Sequence, residues 1–343
     1  MPYHKILVGT DGSQTAAIAE RAAADLASVL DAELIIVTAF DPSTTETGDA
    51  ERILAAAAER AGEAGLAAKT ELRTGDPAEA LMEAADKIRA DLIVVGDRGM
   101  GGAHRFTVGG VPDRVSHYTP VDLLLVKTTR PDREEGRYRK VLLATDGSFT
   151  ADQATGRGYG LASAVGASVS LVYVGDELLG NIVLRDTSER LSEEPIDQHV
   201  LKGHPSDRIC ELAESQGHDL VVVGNKGMVG GKRFLLAAVP NKVSHNAVCD
   251  VLISKTVGRE LRDLQPGEGG VVEADGQKVA AFVDDDGTAY TVLAKCQHMG
   301  CTVGWNSKAR TWDCPCHGSR YDHTGAVING PTKKPLPPVE AEQ

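Results

Sequence analysis

At 343 residues the chain exceeds one ordinary domain and suits two or three, and its 42% apolar and 25% charged residues are ordinary globular composition. The formal net charge of −13, about −8 in residues 1–128, about −2 in 129–257 and about −3 beyond, argues against nucleic-acid binding, which needs lysine and arginine in excess. Aromatic residues make up only 4%, which favours small-residue packing of helices on a sheet over an aromatic stacking surface.

The opening Met1-Pro2-Tyr3-His4-Lys5-Ile6-Leu7-Val8-Gly9 runs straight into a strand-like stretch, with no charged segment leading into an apolar one and a cleavage site. No run is long enough for a membrane span, so the expectation is a soluble cytoplasmic protein. Strands are predicted near 5–10, 33–40, 68–73, 92–96 and 122–127, and helices near 15–30, 50–64, 77–90 and 109–117. The strands are almost continuously apolar, which implies a parallel sheet covered on both faces. Ligands of such sheets bind at the carboxyl ends of the strands, where Asp11 and the stretch Gly96 to Gly99 would meet.

The pattern then repeats about 130 residues later. Lys5-Ile6-Leu7-Val8-Gly9-Thr10-Asp11-Gly12-Ser13 recurs as Lys140-Val141-Leu142-Leu143-Ala144-Thr145-Asp146-Gly147-Ser148. Leu92-Ile93-Val94-Val95-Gly96 recurs as Leu220-Val221-Val222-Val223-Gly224, and Val111-Pro112-Asp113-Arg114-Val115-Ser116-His117 as Val239-Pro240-Asn241-Lys242-Val243-Ser244-His245. Two homologous domains therefore stand in tandem, joined by the charged stretch around Arg130 to Gly136. Cys210 and Cys249 sit singly in apolar periodic segments and read as small buried hydrophobes.

From about residue 258 helical periodicity gives way to turn signals, Pro266-Gly267, Asp275-Gly276, Asp286-Gly287 and Gly330-Pro331, between short alternating runs. This predicts a small antiparallel β domain. Asp284-Asp285-Asp286-Gly287 reads as a turn, His323 as an exposed loop histidine, and Trp305 and Trp312 as core. Two boxes stand out, Cys296-Gln297-His298-Met299-Gly300-Cys301 and Cys314-Pro315-Cys316-His317-Gly318-Ser319. Thiolates and imidazoles in this pattern suit either zinc, as Cys₂His₂, or a [2Fe–2S] cluster with two cysteines on one iron and two histidines on the other. A zinc site would leave a spare cysteine in each box.

Residues from roughly 262 to 337 resemble a high-potential Rieske domain, both boxes matching its motifs without a gap. The resemblance implies a [2Fe–2S] cluster ligated by Cys296, Cys314, His298 and His317, and a disulfide between Cys301 and Cys316. It further implies hydrogen bonds from Ser319 to a cluster sulfide and from Tyr321 to a cysteine sulfur. Gly330-Pro331 and Pro335-Leu336-Pro337-Pro338 would form a proline-rich loop over the cluster. Neutral imidazoles in place of two thiolates place the potential at roughly −150 to +300 mV. The outer imidazoles can lose protons on oxidation, so reduction is expected to couple to protonation near or above neutral pH.

Residues 3–128 and 138–256 resemble the universal stress protein family. In its nucleotide-binding type, Asp11 would face the ribose, and Gly96, Gly99 and Gly109 the phosphates of ATP or another adenine nucleotide. Gly110 replaces the family's hydroxyl residue; in the second copy Asp146, Gly224 and Gly227 match, but Ala237 would crowd a phosphate, so that site reads as degenerate. The family commonly pairs domains through their last strands, and here 122–127 would pair with 250–254 inside one chain.

The expected architecture is a tandem of two α/β doubly wound parallel-sheet domains, residues 1–128 and 139–256, plus a small all-β Rieske domain, residues 266–343. Linkers would cover 129–138 and 257–265. The expected function is one-electron transfer, docking to a separate oxidoreductase: a flavoprotein, a hydrogenase-like dehydrogenase or a quinone-linked complex. A nucleotide-binding stress regulator with a redox-sensing cluster is the alternative, and homo-oligomerisation through the stress-protein domains is a further expectation. No catalytic constellation is evident. A Rieske oxygenase would need an iron held by two histidines and a carboxylate, and the histidines of the tandem copies are scattered in loops.

Overall fold

The computed structural model describes residues 3–43, 46–98, 110–129, 138–225, 239–255, 261, 264, 266–274, 277–298, 300, 302–306, 309–314 and 318–340. The chain divides into two compact units, Met1–Thr256 and Val257–Gln343.

In the first unit, the first copy comprises β1 (Lys5–Gly9), α1 (Gln14–Leu30), β2 (Glu33–Phe40), α2 (Thr47–Glu63), β3 (Ala68–Thr74), α3 (Pro77–Ile88), β4 (Leu92–Gly96), α4 (Gly110–Tyr118) and β5 (Asp122–Val126). The second comprises β6 (Lys140–Ala144), α5 (Phe149–Val165), β7 (Ser168–Val174), α6 (Glu177–Leu191), β8 (Asp197–Leu201), α7 (Pro205–Gln216), β9 (Leu220–Gly224), α8 (Val239–Asn246) and β10 (Asp250–Ser254). All ten strands form one sheet in the order β3-β2-β1-β4-β5-β10-β9-β6-β7-β8, parallel within each copy. The apolar runs are buried because helices cover both faces. Ala19, Ala23, Leu26 and Leu30 of α1 pack on Ile6, Val8 and Ile36, whereas Ala78, Leu81 and Ala84 of α3 pack on Leu7, Ile35 and Ile93. Ser13 caps α1 by accepting the Ala16 amide at 3.1 Å, and Ser148 caps α5 by accepting that of Ala151 at 3.4 Å.

The two copies meet where β5 pairs antiparallel with β10, Leu124 opposite Leu252, so the last strands do pair internally. A buried polar network, drawn twice, flanks this seam. Tyr3 Oη donates to Asp122 at 2.8 Å, and Tyr138 Oη donates to Asp250 at 2.9 Å. The Lys255 amide donates to Asp122 at 2.7 Å and the Lys127 amide to Asp250 at 2.8 Å. The buried ammonium groups reach across as well, Lys127 Nζ to the Ser244 carbonyl at 2.7 Å and Lys255 Nζ to that of Ser116. Burial lowers the pKa of Lys127 and pushes that of Lys255 down to about 8. Tyr138, expected in the linker, thus belongs to the core of the second copy.

The second unit holds two antiparallel sheets. The first contains β11 (Gly269–Ala274), β12 (Gln277–Val283) and β13 (Ala289–Leu293); the second contains β14 (Gly304–Asn306), β15 (Thr311–Asp313), β16 (Arg320–Asp322) and β17 (Val327–Asn329). Trp305 stacks on Phe282 with centroids 4.6 Å apart and meets Trp312 at 4.7 Å. Gly269 lets Trp305 approach, since a Cβ there would lie 2.4 Å from the indole. His323 is half-buried, edge-on to Phe282 at 5.5 Å and to Tyr290 at 4.9 Å, rather than an exposed loop residue.

Candidate cluster site and nucleotide loops

Two loops of the second unit carry the cysteine–histidine boxes, one between β13 and β14 and one between β15 and β16. Both close by the same backbone device. The Gly300 amide donates to the Cys296 carbonyl at 2.9 Å, and the Gly318 amide donates to that of Cys314 at 3.1 Å. Both glycines lie in the left-handed region, φ +77° and +69°, where a side chain would be strained. The Cys314 amide donates to the Ser319 carbonyl at 2.7 Å, and the Val303 amide to that of Ala294 at 3.2 Å, so each loop is tied at its base.

Cys296 and Cys314 are both buried and neither is in a disulfide. Tyr321 is fully buried, held as the cross-strand neighbour of Trp312, with its Oη 3.1 Å from Cys296 Sγ. The same oxygen accepts the Gln297 amide at 3.3 Å. Burial pushes the tyrosine up to about 12, so it remains a donor at neutral pH. Burial raises the Cys296 thiol, but the Tyr321 hydroxyl, the His298 amide, Ser319 and Cys314 together outweigh it and hold that pKa below the ordinary cysteine value. Ser319 is fully buried close to Cys296, and its Oγ makes no hydrogen bond of ordinary geometry among the described residues. A hydroxyl left that way costs about 1–3 kcal/mol. An acceptor between the loops would remove the cost, and two buried thiols with an idle hydroxyl beside them suit an iron–sulfur cluster with acceptor sulfides. His298 is exposed on the first loop.

His317, Cys301 and Cys316 lie outside the described residues, and the expected disulfide with them. The proline-rich stretch divides its work. Gly330 presses on the second loop, a Cβ there falling 2.4 Å from Ser319 Cα. Pro335 to Pro338 instead runs beside β13: the Leu293 amide donates to the Pro337 carbonyl at 2.7 Å, and the Val339 amide to that of Thr291 at 3.1 Å.

In the first unit, Asp11 accepts the Ser13 amide at 3.0 Å, and Asp146 accepts that of Ser148 at 2.9 Å. A Cβ on Gly96 would meet the Thr15 carbonyl at 3.3 Å, and one on Gly224 the Thr150 carbonyl at 2.9 Å. Packing on the helix backbone therefore calls for glycine at Gly224, and at Gly96 a Cβ would press on Thr128 and the Arg98 carbonyl as well as on the helix. Gly99, Gly109, Gly227 and Ala237 lie outside the described residues. Gly110 opens α4 with free space around it. Sequence reasoning missed two groups. Buried Glu20 receives Thr10 Oγ1 and both arms of Arg60, Nε at 2.9 Å and Nη2 at 2.7 Å. Asp113 lies 3.5 Å from His117 and 3.4 Å from His245 of the other copy, a clasp across the seam.

A doubly wound sheet drawn twice and a small β unit with two cysteine–histidine loops define a fusion of a tandem α/β unit with a domain of iron–sulfur type. The universal stress protein family model matches residues 2–127 and 177–255, more than half of the chain, and the Rieske [2Fe-2S] domain model matches 255–340. The chain belongs to the universal stress protein family and carries a Rieske domain, an electron-transfer domain built for a [2Fe–2S] cluster. It is 43% identical over 83 residues to the Rieske 2Fe-2S iron-sulfur protein YhfW of Bacillus subtilis (strain 168), covering 24% of this chain and 16% of that protein. It is 31% identical over 138 residues to the cytochrome b6-f complex iron-sulfur subunit 1 of Cyanophora paradoxa, covering 37% of this chain and 58% of that one. It thus spans less than two thirds of either relative. A universal stress protein structure from Archaeoglobus fulgidus DSM 4304 superposes with a TM-score of 0.63 at 21% identity, over 73% of this chain and 98% of that one, and shares the fold. Among the described residues no helix is long and apolar enough to cross a membrane.

Proposed function

We propose that this chain is a one-electron carrier, with Cys296 and Cys314 on one iron of the cluster and His298 and His317 on the other, exchanging electrons with a separate oxidoreductase. The observation that supports it most is the buried Ser319 hydroxyl, without a hydrogen bond of ordinary geometry among the described residues, beside two buried thiols, one of them 3.1 Å from Tyr321 Oη. Once bound, the cluster supplies a reversible one-electron couple. Around it the protein excludes water from Cys296 and Cys314 and aims the Tyr321 and Ser319 hydroxyls at sulfur, so added negative charge meets fixed donors. A Cys301–Cys316 disulfide ties the two loops together. The likeness to a subunit named for the cytochrome b6-f complex supports exchange with a larger redox assembly; a flavoprotein, a dehydrogenase or a quinone-linked complex each fits that role. The stress-protein copies, residues 1–128 and 139–256, serve as docking platform or regulator, with an adenine nucleotide at Asp11, Gly96, Gly99 and Gly109, and the protein works in the cytoplasm, alone or as a homo-oligomer.

Purification followed by absorption and low-temperature EPR spectra before and after dithionite tests this reading. Iron and inorganic sulfide in equal amounts, with a signal appearing on reduction, are expected. A colourless protein holding zinc and no sulfide overturns it. The alternative regulator, in which the cluster senses redox state, rests on the Asp11 loop; it would show ATP affinity that changes with cluster oxidation and no turnover with a partner enzyme.

A further inference from the structure

The chain carries a net charge of −13, yet lysines surround the cluster loops. Lys295 immediately precedes Cys296 and is exposed. Its side chain lies along the first loop: a Cβ built on Gly300 would stand 3.0 Å from Lys295 Cε and 3.9 Å from its Nζ. The ammonium is therefore laid over the turn that closes on the Cys296 carbonyl. Lys333 and Lys334, also exposed, follow closely after Gly330, whose backbone presses on Ser319. At about 3.5 Å of chain per residue, neither backbone is more than roughly 18 Å from the second loop. Buried Thr332 anchors the stretch, its Oγ1 accepting the Lys334 amide at 3.2 Å. None of the three ammonium groups has an ion-pair partner among the described residues.

Several of the described carboxylates of this unit are already engaged or stand at the far end of β13. Asp313, beside the second loop, is bound by Arg320 through Nε at 2.9 Å and Nη2 at 3.0 Å. Asp284, Asp285 and Asp286 form the turn at the end of β13 away from Cys296, where Asp285 pairs with Arg310. Asp322 is occupied by the amides of Thr324 at 2.8 Å and Ala326 at 3.0 Å.

We propose that the face bearing Lys295, Lys333 and Lys334 receives an electron-carrier protein whose own redox centre is rimmed by carboxylates. This rests on the electron-carrier reading and adds the sign of the partner's surface. The net negative charge of the chain repels an acidic partner while the three lysines attract it locally, so the encounters that persist are those with the cluster loops facing it. Lys295 also acts on the cluster as an electrostatic positioning residue, since a positive charge over the first loop favours the reduced state.

The test uses the full chain with its cluster, reduced and then oxidised by ferricyanide (charge 3−) or tris(phenanthroline)cobalt(III) (charge 3+), at ionic strengths from about 10 mM to about 1 M. The ferricyanide rate is expected to fall with salt. Replacing all three lysines, Lys295→Gln, Lys333→Gln and Lys334→Gln, lowers the low-salt ferricyanide rate about five- to tenfold and raises the cobalt rate by a similar factor. Independently of oxidation rates, the midpoint potential of Lys295→Gln read by EPR falls below that of the parent at low salt and converges with it at high salt. A ferricyanide rate that rises with salt means the overall negative charge governs, and overturns the lysine face while the electron-carrier reading stands. Failure of both ions to oxidise the protein removes that reading and the inference with it. Sedimentation with phosphatidylserine vesicles that the three substitutions abolish would assign the face to a lipid surface instead.

Discussion

The first and second stress-protein copies place strands and helices in the same order, yet they secure equivalent positions with different chemistry. Helix α1 buries Glu20 where α5 has Thr155, and Arg60 turns both arms to that carboxylate whereas Arg190 goes to Asp152. The left-handed residues that end α1 and α3 are Asp31 and Arg89, and those that end α5 and α7 are Gly166 and Gly217. Ala90 in the first copy corresponds to a buried His218 in the second. At the seam, Asp122 receives Tyr3, the Lys255 amide and Arg157, and Asp250 receives Tyr138 and the Lys127 amide in the equivalent geometry. Apolar strand runs fix the fold in both copies; polar burial is specific to each.

That asymmetry is easiest to break at the seam. Asp122→Ala strips the counter-charge from Arg157 and leaves two buried donors idle, so urea unfolding should show a loss of about 3–5 kcal/mol. Asp250→Ala, which leaves the Tyr138 hydroxyl and the Lys127 amide idle, should lose about 1–3 kcal/mol. Equal losses would mean that Arg157 contributes nothing and that the seam behaves as a symmetric pair. Next in size is the Glu20 site. Glu20→Gln removes the charge that Arg60 and Thr10 address and should cost about 1.5–3 kcal/mol, against less than about 1 kcal/mol for Thr155→Ala.

His218 sharpens the comparison through pH. Burial first, then the nearby Lys140, holds its pKa below the ordinary 6.5. A depressed histidine pKa means the unfolded chain takes up the proton first. The stabilising contribution is therefore complete above pH 6.5 and declines as the pH falls through and below that value, by at most about 1.4 kcal/mol per pH unit. Replacing it with the residue of the first copy, His218→Ala, should flatten stability between pH 6.5 and pH 5 in urea titrations. An unchanged acid slope would show that His218 is protonated in the fold without penalty.

Much of this was legible beforehand, for physical reasons that differ by region. The runs Ile6-Leu7-Val8 and Val141-Leu142-Leu143 announce buried parallel strands because apolar continuity is local. The internal pairing of β5 with β10 was expected from the resemblance to a family that pairs its domains through their last strands. The seam network was not read, because its partners are 119 residues apart for Tyr3 and Asp122 and 112 for Tyr138 and Asp250, and nothing in either neighbourhood marks them. His323 misled for a related reason: its burial is supplied by Phe282 and Tyr290 of another sheet. Pro335 to Pro338 looked like pure loop because proline cannot donate, yet a strand edge can use its carbonyls, as the Leu293 amide does with Pro337. In the cluster loops the cysteines and glycines were read from their spacing, while the orphaned Ser319 hydroxyl emerged only from packing.

The smallest expected effect concerns the helix ends. Asp31 (φ 51°) and Arg89 (φ 54°) adopt the left-handed conformation that Gly166 (φ 72°) and Gly217 (φ 66°) adopt in the second copy. A Cβ there crowds the neighbouring carbonyl, at a cost of about 1–2 kcal/mol that glycine avoids, partly offset by the greater freedom glycine has when unfolded. No atom comes within 4 Å of a Cβ built on Gly166 or Gly217, so conformation alone decides the outcome there. Arg89→Gly should therefore raise the stability of the full chain by about 0.5–1 kcal/mol, and Gly217→Ala should lower it by a similar amount, both read from urea midpoints at constant slope. If Arg89→Gly instead lost stability, the arginine side chain would be making contacts worth more than its backbone strain, and the helix ends of the two copies would differ in packing as well as in conformation.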